Sequence, residues 1–167
     1  MNQSEIYEAY APYVYKVALL ITRSRTLSDD ITQETFVRFF QKYHLYDPQK
    51  PIEPWLYRMT VNVTNNMLRK QKWLHFWSDL TGSKTVASSE DEYLKYEKEQ
   101  ALWEEVGKLP LKFKQVLILH YYSGLRLIEI ANILNIPLGT CKSRLNAGLK
   151  KLEDGLTKEW GGIEYER

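Results

Sequence analysis

The spacing of the apolar residues is the feature of this sequence that most restricts its fold. Apolar residues recur three and four positions apart, and no segment sustains the every-second-residue alternation of a half-buried strand. Residues 6–21, for example, place isoleucine, tyrosine and valine side chains along one side of a helix. With 167 residues, the chain is long enough for two small domains. The sequence therefore predicts an all-α protein of two small helical domains.

The N-terminal part predicts two successive helices. In the first, over residues 6–21, Pro12 either bends the helix or marks its true start, because proline lacks the amide hydrogen that an interior position needs. We expect the second helix to have its N-cap within residues 26–28. Asp29 and Asp30 then fall in its first turn, where the helix dipole favours negative charge.

A proline-rich segment separates these helices from a third. Three prolines between residues 43 and 54 predict a rigid, irregular loop. Pro54 suits the first turn of the next helix, which we expect to end in the basic cluster at residues 69–72.

Net charge and residue composition divide the chain into two basic segments with an acidic segment between them. Residues 1–72 have a net charge of +3 and residues 101–158 one of +4, whereas residues 73–100 have −3. Residues 78–92 are rich in Ser, Gly, Thr and acids and have no helical period, which is typical of a linker. The predicted organisation is a first domain at 1–77, an acidic flexible linker at 78–98, a second domain at 99–158 and a tail at 159–167.

The C-terminal domain contains the sharpest local pattern. After a helix that closes at residues 123–124, a short helix carries the small residue Ala131, Asn135 occupies a tight turn, and Pro137 opens a helix with a polar N-terminal half. This pattern is typical of a helix-turn-helix, whose second helix fits the major groove of DNA. A plain three-helix bundle with a solvated polar face is the alternative.

Several classes of protein are disfavoured by what the sequence lacks. The single cysteine, Cys141, cannot form an internal disulfide or a cysteine-rich metal site. The sequence has no P-loop, GxGxxG or HExxH motif, and its three histidines (His44, His75 and His120) are far apart. We therefore expect no catalysis, cofactor, metal or small-molecule substrate. The absence of a secretory signal and of a long apolar run predicts a cytoplasmic protein.

Three motifs occur together in an order that resembles a known family. Residues 30–36 (DITQETF) resemble region 2.2 of bacterial sigma factors, and residues 55–58 (WLYR) with Asn62 resemble regions 2.3 to 2.4. The segments that resemble region 4 are 109–110 (LP), 128–131 (IEIA), 136–140 (IPLGT) and 142–145 (KSRL). The resemblance is to the extracytoplasmic-function (ECF) group of these factors.

The resemblance implies two protein partners. One is core RNA polymerase, which such a factor binds at the clamp-helix coiled coil. The other is an anti-sigma factor, which is often anchored in the membrane. A helix face with carboxylates beside aromatic anchors suits a basic, partly apolar partner. For Phe36, burial in the core of the domain is as good an expectation as contact with polymerase. The residues that match the polymerase-binding surface are Asp30, Gln33, Glu34 and Phe36.

The resemblance also implies contacts to promoter DNA. At the −10 element, Tyr46 and Asn62 match the aromatic and amide positions that hold an unstacked base, while the cations contact phosphates. The −10 set is Arg38, Tyr46, Arg58, Asn62, Arg69 and Lys70, with Lys72 as a further cation. The set that faces the −35 element is Thr140, Lys142, Ser143, Arg144, Asn146 and Lys150.

The sequence departs from the family pattern at a few positions. Ala147 and Leu149 stand where later positions of the recognition helix are commonly basic, and Asn66 replaces a frequent Asp. The aromatic cluster at residues 73–77 (WLHFW) is unusual beside a linker. We expect it to pack back on the first domain; contact with polymerase or with an inhibitory partner is the alternative.

The implied function is that of an alternative sigma factor, which directs core polymerase to −35/−10 promoters and helps to melt the −10 region. The acidic linker fits a segment threaded through the basic RNA channel of polymerase. The main alternative is a helix-turn-helix regulator that acts as a dimer without replacing a sigma factor. A third hypothesis is a helical adaptor that binds only protein.

Overall fold

The computed structural model describes residues 2–82 and 97–159 of the chain. Within those ranges every regular element is helical and none is a strand, which confirms the predicted all-α class. The chain divides into two units, Met1–Glu92 and Tyr93–Arg167.

Unit 1 begins with α1, Gln3–Thr22. Asn2 caps it in a capping box: its side chain accepts from the Glu5 amide, and the Glu5 carboxylate accepts from the Asn2 amide. Pro12 lies inside the helix, so the expectation that it marks the true start is wrong. The cap at Asn2 fixes the start three residues before the first residue of the predicted helix, and nine before Pro12.

The second helix, α2, spans Arg25–Gln41 and starts earlier than expected. Its N-cap is Ser24, whose hydroxyl oxygen accepts from the Leu27 amide at 3.2 Å, so the cap predicted within residues 26–28 is wrong. Arg23 ends α1 in the left-handed conformation, with φ 57°, which leaves only a tight connection between the helices. Ser28 is instead buried and donates to the Ser24 carbonyl at 2.6 Å.

A short 3₁₀ helix, Tyr43–Leu45, opens the proline-rich loop, and α3 follows as Glu53–Thr81. The helix has Pro54 in its first turn, as predicted. It continues past the basic cluster at residues 69–72, and the expected end there is wrong. Neither Gly nor Pro occurs between residues 55 and 81, and Gly82 then ends the helix with φ 69°.

The longer α3 also shifts the start of the predicted linker. Residues 78–81, assigned to the linker at 78–98, are the last turn of α3, and residues 97–98 already belong to the next helix. The rest of that linker, residues 83–96, lies outside the described residues, as do residues 160–167 of the predicted tail.

The three helices of unit 1 pack around a shared apolar core. One cluster joins α1, α2 and α3 around Phe39, which is 0% exposed. A second cluster brings Ala18, Ile31 and Val63 together farther along the same helices. The buried members of the first cluster are Ile6, Val14, Phe36, Phe39, Ile52, Leu56 and Met59.

Unit 2 contains α4, Glu97–Lys108, and α5, Leu111–Leu117, which runs into a π-helical segment, Ile118–Tyr122. Two further helices follow, α6, Leu127–Leu134, and α7, Leu138–Glu159.

Two residues set the geometry of these last helices. Asn135, in the turn between them, has φ 53°, which confirms the predicted left-handed turn residue. Gly148 lets α7 approach α5 closely, because a Cβ there would lie only 3.1 Å from Leu117 Cδ1.

None of the helices within residues 2–82 and 97–159 is long and apolar enough to cross a membrane.

Replacing Phe39 by alanine should destabilise unit 1 by about 3–5 kcal/mol, because the change removes a fully buried ring from the centre of the core. Urea unfolding followed by circular dichroism measures the effect. Val37→Ala is the matched control: it lies two residues away on the same helix, is 51% exposed, and should change stability by less than about 0.5 kcal/mol. Equal losses in the two variants would contradict the described core.

Candidate functional site

The outward face of α2 carries three of the four residues predicted to bind polymerase. Asp30 and Gln33 are exposed and Glu34 is half-buried, and their spacing of three and four residues places them on one face. Val37 continues this face one turn later and is 51% exposed. Sequence analysis missed Val37, although its position seven residues after Asp30 is a signal for it. The face thus combines acidic and amide groups with one apolar side chain.

Phe36 differs from the other three. Its side chain is 2% exposed, and its ring packs edge-on against Tyr7, with the ring centroids 4.8 Å apart. Of its two expected roles, the structure therefore gives Phe36 the place in the core rather than at the surface, because its ring is buried whereas Asp30, Gln33 and Glu34 lie on the outer face of the helix.

Arg38 belongs to the α2 surface rather than to the loop that follows. Its Nε donates to Glu34 Oε1 at 2.6 Å, one helical turn back. The pair holds the Glu34 carboxylate in a defined position. The structure thus groups Arg38 with a residue predicted for polymerase, and not with the other cations predicted for the −10 element.

The loop of residues 43–54 is attached to the bundle by stacked aromatic rings. The Tyr46 ring lies nearly parallel to Trp55, with centroids 5.6 Å apart and an angle of 7°, and it also stacks on Tyr43 at 5.8 Å. Trp55 in turn packs against Phe39 at 4.9 Å. The Tyr46 hydroxyl donates to the Lys50 carbonyl at 2.6 Å, which closes the loop. Trp55 therefore packs between the loop and the unit 1 core.

Burial and negative neighbours raise the pKa of two tyrosines, Tyr46 in the loop and Tyr10 in α1. Burial, followed by the nearby Tyr43, Glu53 and Asp47, raises the pKa of Tyr46 above its ordinary value. The pKa of Tyr10 is raised in the same way, by burial and by Glu53, whose Oε1 accepts from the Tyr10 hydroxyl at 3.2 Å. Both hydroxyls therefore stay protonated to a higher pH than the hydroxyl of an exposed tyrosine.

One face of α3 brings together most of the residues predicted for the −10 element. Arg58 and Asn62 are exposed one turn apart, and Arg69 follows seven residues later on the same face. Asn66 lies between them, and its Oδ1 accepts a hydrogen bond from Arg69 Nη2. Lys70 is exposed beside this line. The opposite face is buried in the unit 1 core from Leu56 to Thr64, which directs this set outward.

The aromatic cluster at residues 73–77 continues α3 and does not pack back on unit 1, so that expectation is wrong. Trp73, Phe76 and Trp77 are each at least half exposed. Their rings contact one another, with Trp73 stacked on Phe76 and edge-on to Trp77 at centroid distances of 6.0 Å. The helix carries them beyond Met67, its last residue packed on a core cluster.

In unit 2, α7 presents four of the predicted −35 residues together. Lys142, Ser143, Asn146 and Lys150 are exposed on one face, while Cys141, Leu145 and Gly148 are buried on the opposite side. The other two predicted residues, Thr140 and Arg144, are half-buried on a neighbouring flank of the helix. The Ser143 hydroxyl donates to the Thr140 carbonyl at 3.0 Å.

The start of α6 is fixed by an ion pair. The Arg126 amide donates to Glu129 Oε2 at 2.8 Å, and Arg126 Nη2 donates to Glu129 Oε1 at 3.0 Å. The side-chain hydrogen bond from Arg126 is the main cause that lowers the pKa of Glu129. These contacts fix the N-terminal end of α6. Asn135 ends the helix at its other end, before the turn into α7.

In the part of the chain that the structure describes, no group of three His, Cys, Asp or Glu side chains is placed to hold a metal ion.

Comparisons with known proteins identify both halves of the chain. Family models for sigma-70 region 2 and sigma-70 region 4 match residues 6–74 and 99–152. The chain is 30% identical over 164 residues to the ECF RNA polymerase sigma factor SigW of Bacillus subtilis, covering 92% of this chain and 88% of SigW. It is also 30% identical over 154 residues to SigM of the same organism, covering 92% and 94%.

A solved structure has a similar fold. The sigma factor RpoE of Bartonella quintana, in complex with the anti-sigma factor NepR, matches with a TM-score of 0.76 at 20% identity, covering 92% of this chain and 96% of that one.

The buried thiol of Cys141 predicts a pH dependence for unit 2. Burial raises the pKa of this thiol, partly opposed by Arg144. Because the folded pKa is higher than the unfolded one, the thiol's contribution to stability is complete below the ordinary pKa of about 8.5 and is lost as the pH rises through the folded value. The free energy of unfolding should therefore fall more steeply above about pH 8.5 in the natural chain than in Cys141→Ala.

Urea unfolding of the two proteins at a series of pH values measures this difference. The comparison concerns the slope with pH, since the alanine variant also loses packing. Parallel slopes would show that the thiol is as accessible to water in the folded chain as in the unfolded one.

Proposed function

The chain belongs to the ECF group of the sigma-70 family and is an alternative sigma factor, and from this membership we propose how its two units divide the work of promoter recognition. One observation carries the assignment: the two family regions match in order, and each falls within one of the two units. The dimeric helix-turn-helix regulator is not favoured, because it gives no role to a match with region 2.

The α2 face binds core polymerase at its clamp-helix coiled coil. Asp30 and Glu34 offer carboxylates to a basic partner, Gln33 adds an amide, and Val37 supplies an apolar contact one turn later on the same face. Arg38 orients the Glu34 carboxylate. Phe36 acts indirectly, since its ring packs beneath this face and stabilises α2.

The α3 face and the 43–54 loop hold the opened −10 element. Asn62 lies on the exposed face with an amide suited to the edge of an unstacked base, and Tyr46 closes the adjacent loop with a ring that is only half-buried. Arg58, Arg69 and Lys70 contact phosphates, which set affinity and salt dependence rather than sequence choice.

The recognition helix α7 binds the −35 element in the major groove. Lys142, Ser143 and Asn146 stand on the exposed face of its N-terminal half, within reach of base edges, and Lys150 extends the face toward phosphates. Thr140 and Arg144, on the flank, are placed for the DNA backbone. Ala147 and Leu149 add no charge to this helix.

The remaining assignments follow from the family. The boundaries proposed for the two DNA-binding domains are residues 1–77 and 99–158, with an acidic connection between them. An anti-sigma protein holds the chain inactive, a partner supported by the complex in which RpoE was solved. The polymerase supplies the catalysis, and the protein acts in the cytoplasm.

Binding to core polymerase is the first test. The double variant Asp30→Ala with Glu34→Ala should weaken binding of the full chain to core polymerase about tenfold or more, since it removes both carboxylates at the centre of the α2 face. Glu8→Ala is the control, because this exposed carboxylate lies on α1 rather than on the α2 face and should leave binding unchanged.

The affinities of the double variant and of the control are measured by equilibrium binding to core polymerase without DNA, at two salt concentrations. If the folded natural chain does not bind core polymerase, the proposed function fails. If Glu8→Ala weakens binding as much as the double variant, net charge rather than this face is responsible.

The −35 contacts predict a separate salt dependence. Lys150→Gln should reduce the slope of log affinity against log salt by about 0.9 for holoenzyme on duplex −35 DNA, because it removes one phosphate neutralisation. Lys151→Gln is the control, since Lys151 is equally exposed but lies about 100° around α7 from Lys150. An equal change of slope in the control would place the DNA on another face of the helix.

A further inference from the structure

Beyond the core of unit 1, α3 continues as an exposed helix. Within the described residues 69–82, no side chain is buried. Large apolar groups on this stretch are nonetheless numerous, which is uncommon on a water-exposed surface without a function. Five of them are 50–64% exposed: Trp73, Leu74, Phe76, Trp77 and Leu80.

A surface groove of about 770 Å³ lies where this stretch begins. Its lining combines three cations, one carboxamide and two aromatic rings, and it includes no carboxylate. Leu74, Trp77 and Leu80 are not among the lining residues. The lining residues are Asn66, Arg69, Lys70, Lys72, Trp73 and Phe76.

Each kind of group in the groove matches a part of a nucleotide. The three cations complement phosphate. Trp73 and Phe76, which meet at an angle of 29°, offer ring faces on which any base can stack. The Asn66 amide suits a base edge, and its hydrogen bond with Arg69 holds amide and guanidinium in fixed relation. An apolar partner helix or a lipid tail would leave this amide and the paired guanidinium without a matching group.

The groove also continues the face assigned to the −10 element. Asn62, Asn66, Arg69 and Trp73 follow one another at intervals of three and four residues, so they form a single line along α3. From Asn62 to Trp73 this line extends about 16 Å along the helix axis. When one base of a single strand is held beside Asn62, another nucleotide of the same strand can therefore lie in the groove.

We propose that this groove is a second nucleotide-binding site, which stacks one unpaired base of the opened promoter strand on Trp73 and Phe76. The site depends on the proposed function, because an opened strand must first be delivered by the −10 contacts. It is independent of base identity, since stacking and phosphate contacts are sequence-tolerant. It lengthens the stretch of single strand that the factor holds open.

Single-strand binding by the reconstituted holoenzyme tests the site. The probe is a short single-stranded oligonucleotide that carries the fluorescent base 2-aminopurine at one position at a time. The double variant Trp73→Ala with Phe76→Ala should lower affinity about 5- to 100-fold and abolish fluorescence quenching at one probe position. Asn62→Ala should affect a different probe position.

The matched control is Leu74→Ala with Leu80→Ala, which removes two equally exposed apolar side chains that cannot stack on a base. Affinity and quenching in this control should equal those of the natural chain. Lys70→Gln should reduce the salt slope by about 0.7, the value expected for one phosphate of a single strand.

The outcomes separate this site from the function on which it depends. Normal binding and quenching in the Trp73→Ala, Phe76→Ala variant, with a clear effect of Asn62→Ala, overturns the second site and leaves the −10 contacts intact. Equal losses in the leucine control overturn it in favour of an apolar docking surface for a protein or a membrane. A natural chain that does not bind core polymerase defeats the proposed function itself.

Discussion

Aromatic stacking between the 43–54 loop and the helices is the interaction on which the candidate −10 surface depends. Between the 3₁₀ helix and α3 the loop has no regular structure, so contacts with the helices are needed to hold it in one conformation. The stacked rings of Tyr43, Tyr46 and Trp55, seated on Phe39, provide that anchor. Because Phe39 is also the centre of the helix core, the position of the loop is tied to the stability of unit 1.

Helix α3 serves two purposes along its length. From Leu56 to Thr64 its inner face is buried, and this packing fixes the direction of the whole helix. The exposed stretch after Met67 lacks such support, and an isolated helix of this length is marginally stable in water. It therefore relies on its continuity with the packed half. The packed half thus determines where Asn66, Arg69 and Trp73 are placed, although the buried side chains that fix its direction touch no DNA in the proposed complex.

The sequence predicted the helical class, the helix-turn-helix and most exposed site residues, because these follow from periodicity and from special residues such as Asn135 and Pro54. The predictions from sequence were wrong where neighbouring residues gave similar local signals for a helix cap or for burial. Ser24 and residues 26–28 are all capable caps, and only the left-handed Arg23 decides between them. Phe36 and Val37 are adjacent apolar residues, and only the packing of α2 on α1 shows which one is buried.

The proposed DNA contacts give each unit a cationic face. The face of α7 offers Lys142 and Lys150, with Arg144 on its flank, and the half-buried Ala147 and Leu149 add apolar packing rather than charge. The face of α3 concentrates Arg58, Arg69, Lys70 and Lys72 within four turns. Counterion release contributes a slope of about 0.9 for each duplex phosphate and about 0.7 for each single-strand phosphate, so three cations on the duplex and four on the opened strand contribute to a similar extent. In the proposed complex, electrostatic attraction therefore holds both units to DNA, and the base contacts determine which promoter is chosen.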